Sequence, residues 1–189
     1  MSKPLNIIGM VGKARSGKDT CADLLCEIGN ETNRVVKRVA FADPLKRIVS
    51  DIYCFAYDLP SSVFYGDGDD KDKPLEVLGG RSGREIQQFV GTECFRKLTP
   101  SIWTTYLVKY AVLLAQQGAD LIVVTDVRFA NEAKAVREMQ GTLIRITRTS
   151  ELRLEHQSET EQDYIDTDCE LTNNGTLEDL KRSLRKFIT

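Results

Sequence analysis

Residues 12–20 read GKARSGKDT, and Gly12-Lys13-Ala14-Arg15-Ser16-Gly17-Lys18 fits the spacing G-x-x-x-x-G-K. Glycines at both ends let the backbone curl until successive N–H groups point inward, a geometry that grips phosphate oxygens. Lys18 adds a full positive charge on a flexible stem, and Lys13 and Arg15 add more. Where such a run opens a helix, the helix N-terminus contributes roughly half a further charge. The hydroxyl that usually follows the lysine and ligates Mg²⁺ is displaced by one position: Asp19 comes first, then Thr20. A carboxylate in a first helical turn suits the helix dipole. It can also hold a magnesium-bound water, because Mg²⁺ keeps much of its hydration shell.

A second group follows the apolar run DLIVVT at 120–125, where Asp126 is succeeded by VRFANE. A carboxylate at a strand end beside a phosphate loop orients Mg²⁺ or its waters. Asp19 and Asp126 are therefore the metal candidates, both through water. Arg128 projects over the same edge and can stabilise the charge that develops on a transferring phosphoryl group. Glu132 reads as a helix-start carboxylate or a partner for Arg128.

The elements that must position these groups are legible in the hydrophobic pattern. Leu5–Met10 is a short apolar run ending near glycine, a buried strand. Cys21, Leu24, Leu25 and Ile28 form one helical face before Gly29-Asn30. Val35–Phe41 is a second strand. Pro44, with Asp43 as N-cap, opens a helix reaching about Tyr57. From Asp58 to Gly83 the pattern dissolves into glycine, proline and mixed charge, which predicts a long mobile loop. Helices follow at about 84–98 and 100–117, then the strand 120–125, a helical stripe on Phe129, Ala133, Val136 and Met139, and a strand at 142–147. A polar stretch (148–168), a short strand at 169–173 and a last helix bearing Leu177, Leu180, Leu184, Phe187 and Ile188 complete the chain. Apolar strands alternating with helices predict an α/β fold with a parallel sheet covered on both sides. In such sheets ligands bind at the carboxyl ends of the strands, where both groups above fall.

Composition bounds the rest. The 189 residues, 41% apolar and 29% charged, suit a soluble globular domain, expected in the cytoplasm. A net charge of −2 argues against duplex nucleic acid as a partner. Five cysteines without a C-x-x-C pair suit a reducing compartment, and His156 is the only histidine, so a histidine metal site is unexpected. No run approaches the ~20 apolar residues of a membrane span, and MSKPLNIIGMVG is too short an apolar stretch for a signal peptide.

The chain resembles the deoxynucleoside monophosphate kinases of the viral (phage) type, members of the P-loop nucleoside monophosphate kinase superfamily and cousins of the adenylate kinases. The match rests on ordered blocks: GKDT (17–20), FADPLK (41–46), REIQQFVGTECFR (84–96), IW (102–103), DVRFANE (126–132), HQSE (156–159) and NNGTLEDL (173–180). Nucleoside monophosphate kinases also carry threonine in the second place after the lysine, as G-K-G-T. Ala130 departs from the proline commoner in the family.

The resemblance implies an adenylate-kinase-like fold in one domain, with a core at about 1–42 and 118–189, an acceptor-binding helical insertion at about 43–117 and a lid at about 148–168. It implies ATP and Mg²⁺ as cofactors and a deoxynucleoside 5′-monophosphate as acceptor, and it admits a homodimer. On that reading Asp43 and Lys46 border the acceptor, with Arg84, Gln88, Arg96, Trp103, Arg128 and Glu132 around it. Arg84 and Gln88 share a helical face, on which Arg96 lies only loosely. An arginine fork matches two phosphate oxygens, a glutamine amide matches a base edge, and Trp103 could stack on a base. Arg145, Arg148 and Arg153 are lid candidates, Arg148 foremost. Lys18, Asp126, Arg128 and Arg148 form the catalytic set.

Two other readings share the loop. Phosphomevalonate kinases of the animal type carry a K-x-x-S-G-K-D loop echoed by Lys13 and Ser16, although the 84–96 and NNGTL blocks stand closer to the nucleotide branch. A non-catalytic nucleotide switch would keep Ser or Thr after the lysine and an N-K-x-D motif; this chain has neither.

Overall fold

The structure, a computed structural model, describes residues 6–66, 68–149 and 161–188. The chain divides into two compact units, Met1–Ala40 with Thr104–Thr189, and Phe41–Trp103.

The first unit is built on β1 (Asn6–Val11), β2 (Val36–Val39), β3 (Leu121–Val124), β4 (Thr142–Thr147) and β5 (Cys169–Thr172). They form a parallel five-stranded sheet in the order β2-β3-β1-β4-β5. The chain therefore steps to opposite sides of β1, which makes the carboxyl end of β1 a switch point where ligands bind. Alternation along β1 sorts its residues between two helical layers. Ile8 and Met10 join a core with Cys21, Leu24, Leu25 and Ile28 of α1 (Lys18–Glu31). Gly9 faces the other way, where an added Cβ would meet Leu143 and Val136. Val136 belongs to α7 (Ala130–Glu138). Each fully buried Leu or Ile here contributes on the order of 1.5–3 kcal/mol. The last helix, α8 (Leu177–Leu184), closes the α1 layer through Leu180 and Leu184. Thr176 caps it by accepting from the Asp179 amide at 3.2 Å, and the Asp179 carboxylate accepts from the Thr176 amide in return. All five cysteines are free thiols, and burial pushes the Cys21 thiol up to about 12, opposed by the Lys18 charge.

The second unit carries α2 (Asp43–Tyr57), α3 (Ser62–Tyr65), α4 (Gly68–Asp72), a 3₁₀ turn at Glu76–Leu78, and α5 (Gly83–Gln88), which continues as a π-helix over Phe89–Arg96. α6 (Ile102–Gln116) starts in this unit and continues into the first. Three expectations change here. Asp43 lies inside the first turn of α2, with Ala42 at the cap position, so the helix starts one residue early and Pro44 still falls where no amide donor is needed. The 58–83 stretch, expected to lack structure, folds into short helical pieces. Its anchors are single buried side chains, Val63, Phe64 and Leu78, and the start of α5 packs so closely that a Cβ at Gly83 would lie 2.0 Å from the Val63 carbonyl oxygen. The 84–98 helix is not a uniform α-helix, because Phe89–Arg96 is wound wider. Ser82 caps its start, accepting from the Glu85 amide at 3.2 Å, while the Glu85 carboxylate accepts from the Ser82 amide at 2.7 Å.

Candidate functional site

The loop between β1 and α1 takes its shape from what surrounds it. A Cβ at Gly12 would lie 2.4 Å from the Ile146 carbonyl oxygen on β4, so no larger residue fits. Arg15 adopts a left-handed conformation at φ 64°, and Gly17 another at φ 98°, where only glycine is unstrained. Strained non-glycine backbone of this kind concentrates at ligand clamps. Ser16 donates its amide to the Lys13 carbonyl at 3.2 Å, tightening the curl. Its side chain is fully buried, and its Oγ has no partner among the described residues. An orphaned buried hydroxyl inside a curled loop fits a ligand that brings acceptor oxygens.

Lys18 opens α1 and is 9% exposed. Its ammonium folds back over the loop to reach the carbonyl oxygens of Gly12 and, at 2.7 Å, Lys13. Two charged neighbours are engaged elsewhere: Lys13 pairs with Asp163 at 3.1 Å, and Asp19 pairs with Arg38 of β2. Arg38 also bonds Asp23 at 2.8 Å. Asp19 nonetheless keeps 73% of its side chain exposed, next to an exposed Thr20. Ala14 lies half-buried in the loop.

The second group stands beside the first. Gly9 is in register with Val124, and the Val127 amide donates to the Met10 carbonyl at 3.2 Å. Continuing that parallel register brings Asp126 level with Val11, the residue before Gly12. Glu132 is 2% exposed, and its Oε2 accepts from the Arg128 amide at 2.9 Å and the Phe129 amide at 3.2 Å. The structure makes Glu132 a buried brace that sets where the half-buried Arg128 leaves the chain. Arg148 is exposed just past β4. Arg145 turns instead to the carbonyl oxygens of Gln162 and Ile165, holding the 3₁₀ turn Glu161–Tyr164 against the sheet. Arg153 and His156 lie outside the described residues.

The remaining acceptor candidates, Asp43, Lys46, Arg84, Gln88, Arg96 and Trp103, all belong to the second unit. Arg84 pairs with Asp72 of α4. Gln88 and Arg96 are half-buried at the two ends of the π-helix. In an α-helix the step from Arg84 to Arg96 ends about 120° off the starting face. The wider i→i+5 winding turns less per residue and brings Arg96 back towards Arg84. Trp103 departs from its expected role as a stacking platform. It is 6% exposed, packs on Phe95 at 5.2 Å between ring centroids, and donates its indole N–H to the Gly91 carbonyl at 3.2 Å. A buried indole needs such a partner, which a core position supplies.

Sequence reasoning did not single out Arg38, Asp72 or Asn173. Asn173 entered only as the end of the 169–173 strand and the first residue of the NNGTLEDL block, yet its carboxamide reaches the phosphate loop, 2.9 Å from the Ser16 carbonyl. No group of three or more metal-ligating side chains occurs among the described residues, and no described helix is long and apolar enough to cross a membrane.

A curled glycine loop between a strand and a helix, with a carboxylate at the end of the adjoining parallel strand, defines an α/β protein of the P-loop kinase fold. Solved structures share that fold. An APS kinase from Mycobacterium tuberculosis superimposes with a TM-score of 0.50 at 14% identity, covering 97% of this chain and 96% of that one. A structure of that kinase in complex with AMPPNP and APS gives 0.50 at 11% identity over the same shares. The particular family follows from sequence. The deoxynucleotide monophosphate kinase family model matches residues 79–184. The deoxynucleotide monophosphate kinase assigned to Acanthamoeba polyphaga mimivirus is 32% identical over 184 residues, 92% of this chain and 91% of that one. The deoxynucleoside-5′-monophosphate kinase of Escherichia phage T5 is 26% identical over 182 residues, 70% of this chain and 72% of that one. The chain belongs to the deoxynucleotide monophosphate kinase family and is a phosphotransferase.

Proposed function

We propose that this protein transfers the terminal phosphoryl group of ATP to a deoxynucleoside 5′-monophosphate, giving the diphosphate and ADP. The observation that supports the reading is the pairing of β1 with β3, whose register carried on brings Asp126 level with Val11, the residue before the Gly12–Thr20 loop. The loop amides and Lys18 hold the donor phosphates, and Ser16 Oγ gains the acceptor oxygens it lacks. Arg128 and Arg148 neutralise charge on the transferring group, which needs cations more than covalent chemistry. The acceptor needs no general base, since its phosphate is already ionised at neutral pH.

Mg²⁺ would supply charge neutralisation and alignment of the phosphates. The hard oxygens of Asp126, Thr20 and Asp19 fit it, the carboxylates through water and Asp19 while sharing its charge with Arg38. In the second unit, Arg84, Arg96 and Lys46 hold the monophosphate, while Gln88 and Asp43 border the nucleoside.

The test is an acceptor screen with coupled ADP detection across the four deoxynucleoside monophosphates, their ribo counterparts and phosphomevalonate. Turnover confined to nucleotides, and lost in Lys18→Ala, is expected. Turnover with phosphomevalonate alone would replace the acceptor assignment.

A further inference from the structure

We propose that Asn173 is a positioning residue of the phosphate loop: its carboxamide fixes the Ser16–Gly17 peptide so that the Gly17 amide faces the bound phosphates. The proposal rests on the phosphate-loop reading above.

Asn173 Nδ2 donates to the Ser16 carbonyl at 2.9 Å across 157 residues of sequence. A peptide unit is planar and trans, so its carbonyl and its N–H point in opposite directions. Holding the Ser16 oxygen towards Asn173 therefore turns the Gly17 N–H away from Asn173. That amide is among those a phosphate loop offers its ligand. Donors aimed before the ligand arrives need no rearrangement at the moment of reaction.

Asn173 can perform this role because its own backbone is fixed. β5 runs parallel to β4 with Thr172 beside Thr147, and the Asn173 amide extends that ladder by donating to the Thr147 carbonyl at 2.7 Å. The contact is also close. A Cβ at Gly17 would lie 2.2 Å from Asn173 Nδ2, so a larger residue there would push the carboxamide off the Ser16 carbonyl, while φ 98° itself favours glycine. The two glycines thus rest on neighbouring strand ends, Gly12 on the Ile146 carbonyl of β4 and Gly17 on Asn173. An aspartate in its place would match the shape but donate nothing, and it would set a negative charge near the phosphates.

The experiment compares Asn173→Ala, Asn173→Asp and Lys18→Ala in the full chain, by steady-state kinetics with ATP and the best acceptor and by thermal unfolding. Asn173→Ala is expected to raise KM for ATP about tenfold, leaving KM for the acceptor and Tm nearly unchanged. Asn173→Asp is expected to raise KM for ATP further. An unchanged KM for ATP in Asn173→Ala, alongside an inactive Lys18→Ala, overturns the role of Asn173 and leaves the loop assignment standing. A parallel rise in both KM values with a lowered Tm marks a merely structural contact and also overturns it. A fully active Lys18→Ala removes the loop assignment and this proposal together.

Discussion

The indole nitrogen of Trp103 donates to the carbonyl oxygen of Gly91, in the middle of the π-helix, at 3.2 Å. π-Helical turns disturb the regular i→i−4 ladder and need local support. Gly91 is itself tightly placed, since a Cβ there would lie 2.6 Å from a Leu45 methyl group of α2. One buried indole and one close helix contact thus hold the segment that ends at Arg96.

Replacing the indole donor while keeping an aromatic ring tests this support. Trp103→Phe is expected to destabilise the protein by about 1–2 kcal/mol, the cost of leaving a buried carbonyl without its donor. Chemical denaturation measures it. Because Trp103 is the only tryptophan, wild-type emission reports this site alone. The emission should be blue-shifted and poorly quenched by acrylamide. A large spectral change on adding a nucleoside monophosphate would return Trp103 to a stacking role.

Arg128 separates rate from binding. Arg128→Ala is expected to lower kcat by about 10³-fold or more, as loss of a phosphoryl-stabilising arginine does, with a smaller change in KM for ATP. Glu132→Ala removes the acceptor of two buried-side amides. It should lower Tm and also lower kcat, because the Arg128 backbone loses its brace. Steady-state kinetics on both variants decide the matter: kcat retained in Arg128→Ala would take that side chain out of the reaction.

The loop glycines can be compared with a glycine that has room. Gly12→Ala would drive a Cβ to 2.4 Å from a strand carbonyl, an atom that moves only if β4 moves. Gly79 has φ 66° but nothing within 4 Å of an added Cβ. Gly79→Ala should therefore cost only the left-handed strain, roughly 1–2 kcal/mol, and keep its affinity for ATP. Gly12→Ala should lose measurable ATP binding by calorimetry. Equal affinities in the two variants would show that the loop tolerates the shift.

What the sequence revealed follows from how local each signal is. The phosphate loop and the strand before Asp126 were readable because glycine spacing and an unbroken apolar run are patterns of neighbouring residues. The 58–83 stretch hid its structure because its anchors are isolated: Val63, Phe64 and Leu78 sit among charges and glycines with no period to betray them. The π-helix was invisible because its eight residues, with Phe89 exposed and only Gly91 buried, carry too little apolar pattern to set a period. Asn173, Arg38 and Asp72 act on residues 157, 19 and 12 positions away, partnerships that exist only once the strands and helices are assembled. Trp103 was ambiguous by nature, since an indole serves a core and a base equally well until its burial is known.

Acid stability offers a last prediction, with its sign fixed by one carboxylate. The Leu143 amide donates to Asp168 Oδ2 at 2.7 Å, and Arg137 pairs with the other oxygen at 3.1 Å. The amide bond first, and the guanidinium second, hold the Asp168 carboxyl below the usual carboxylate range. A lowered folded-state value means the unfolded chain binds the proton more readily. The contribution is thus fully present above the unfolded value of about 3.9 and fades as pH falls through the folded one. The side chain is 40% exposed, so solvent screening keeps the effect modest. Glu31, Glu85 and Asp179 are lowered too, by hydrogen bonds to Lys181 and Arg185, to Ser82, and to Thr176 respectively, so the acid limb is a sum. Asp168's share is the difference between two Tm curves. Asp168→Asn should lower Tm at neutral pH, and the gap to wild type should narrow below about pH 4. A gap that stays constant through the acid range would show that the Asp168 charge adds nothing to the fold.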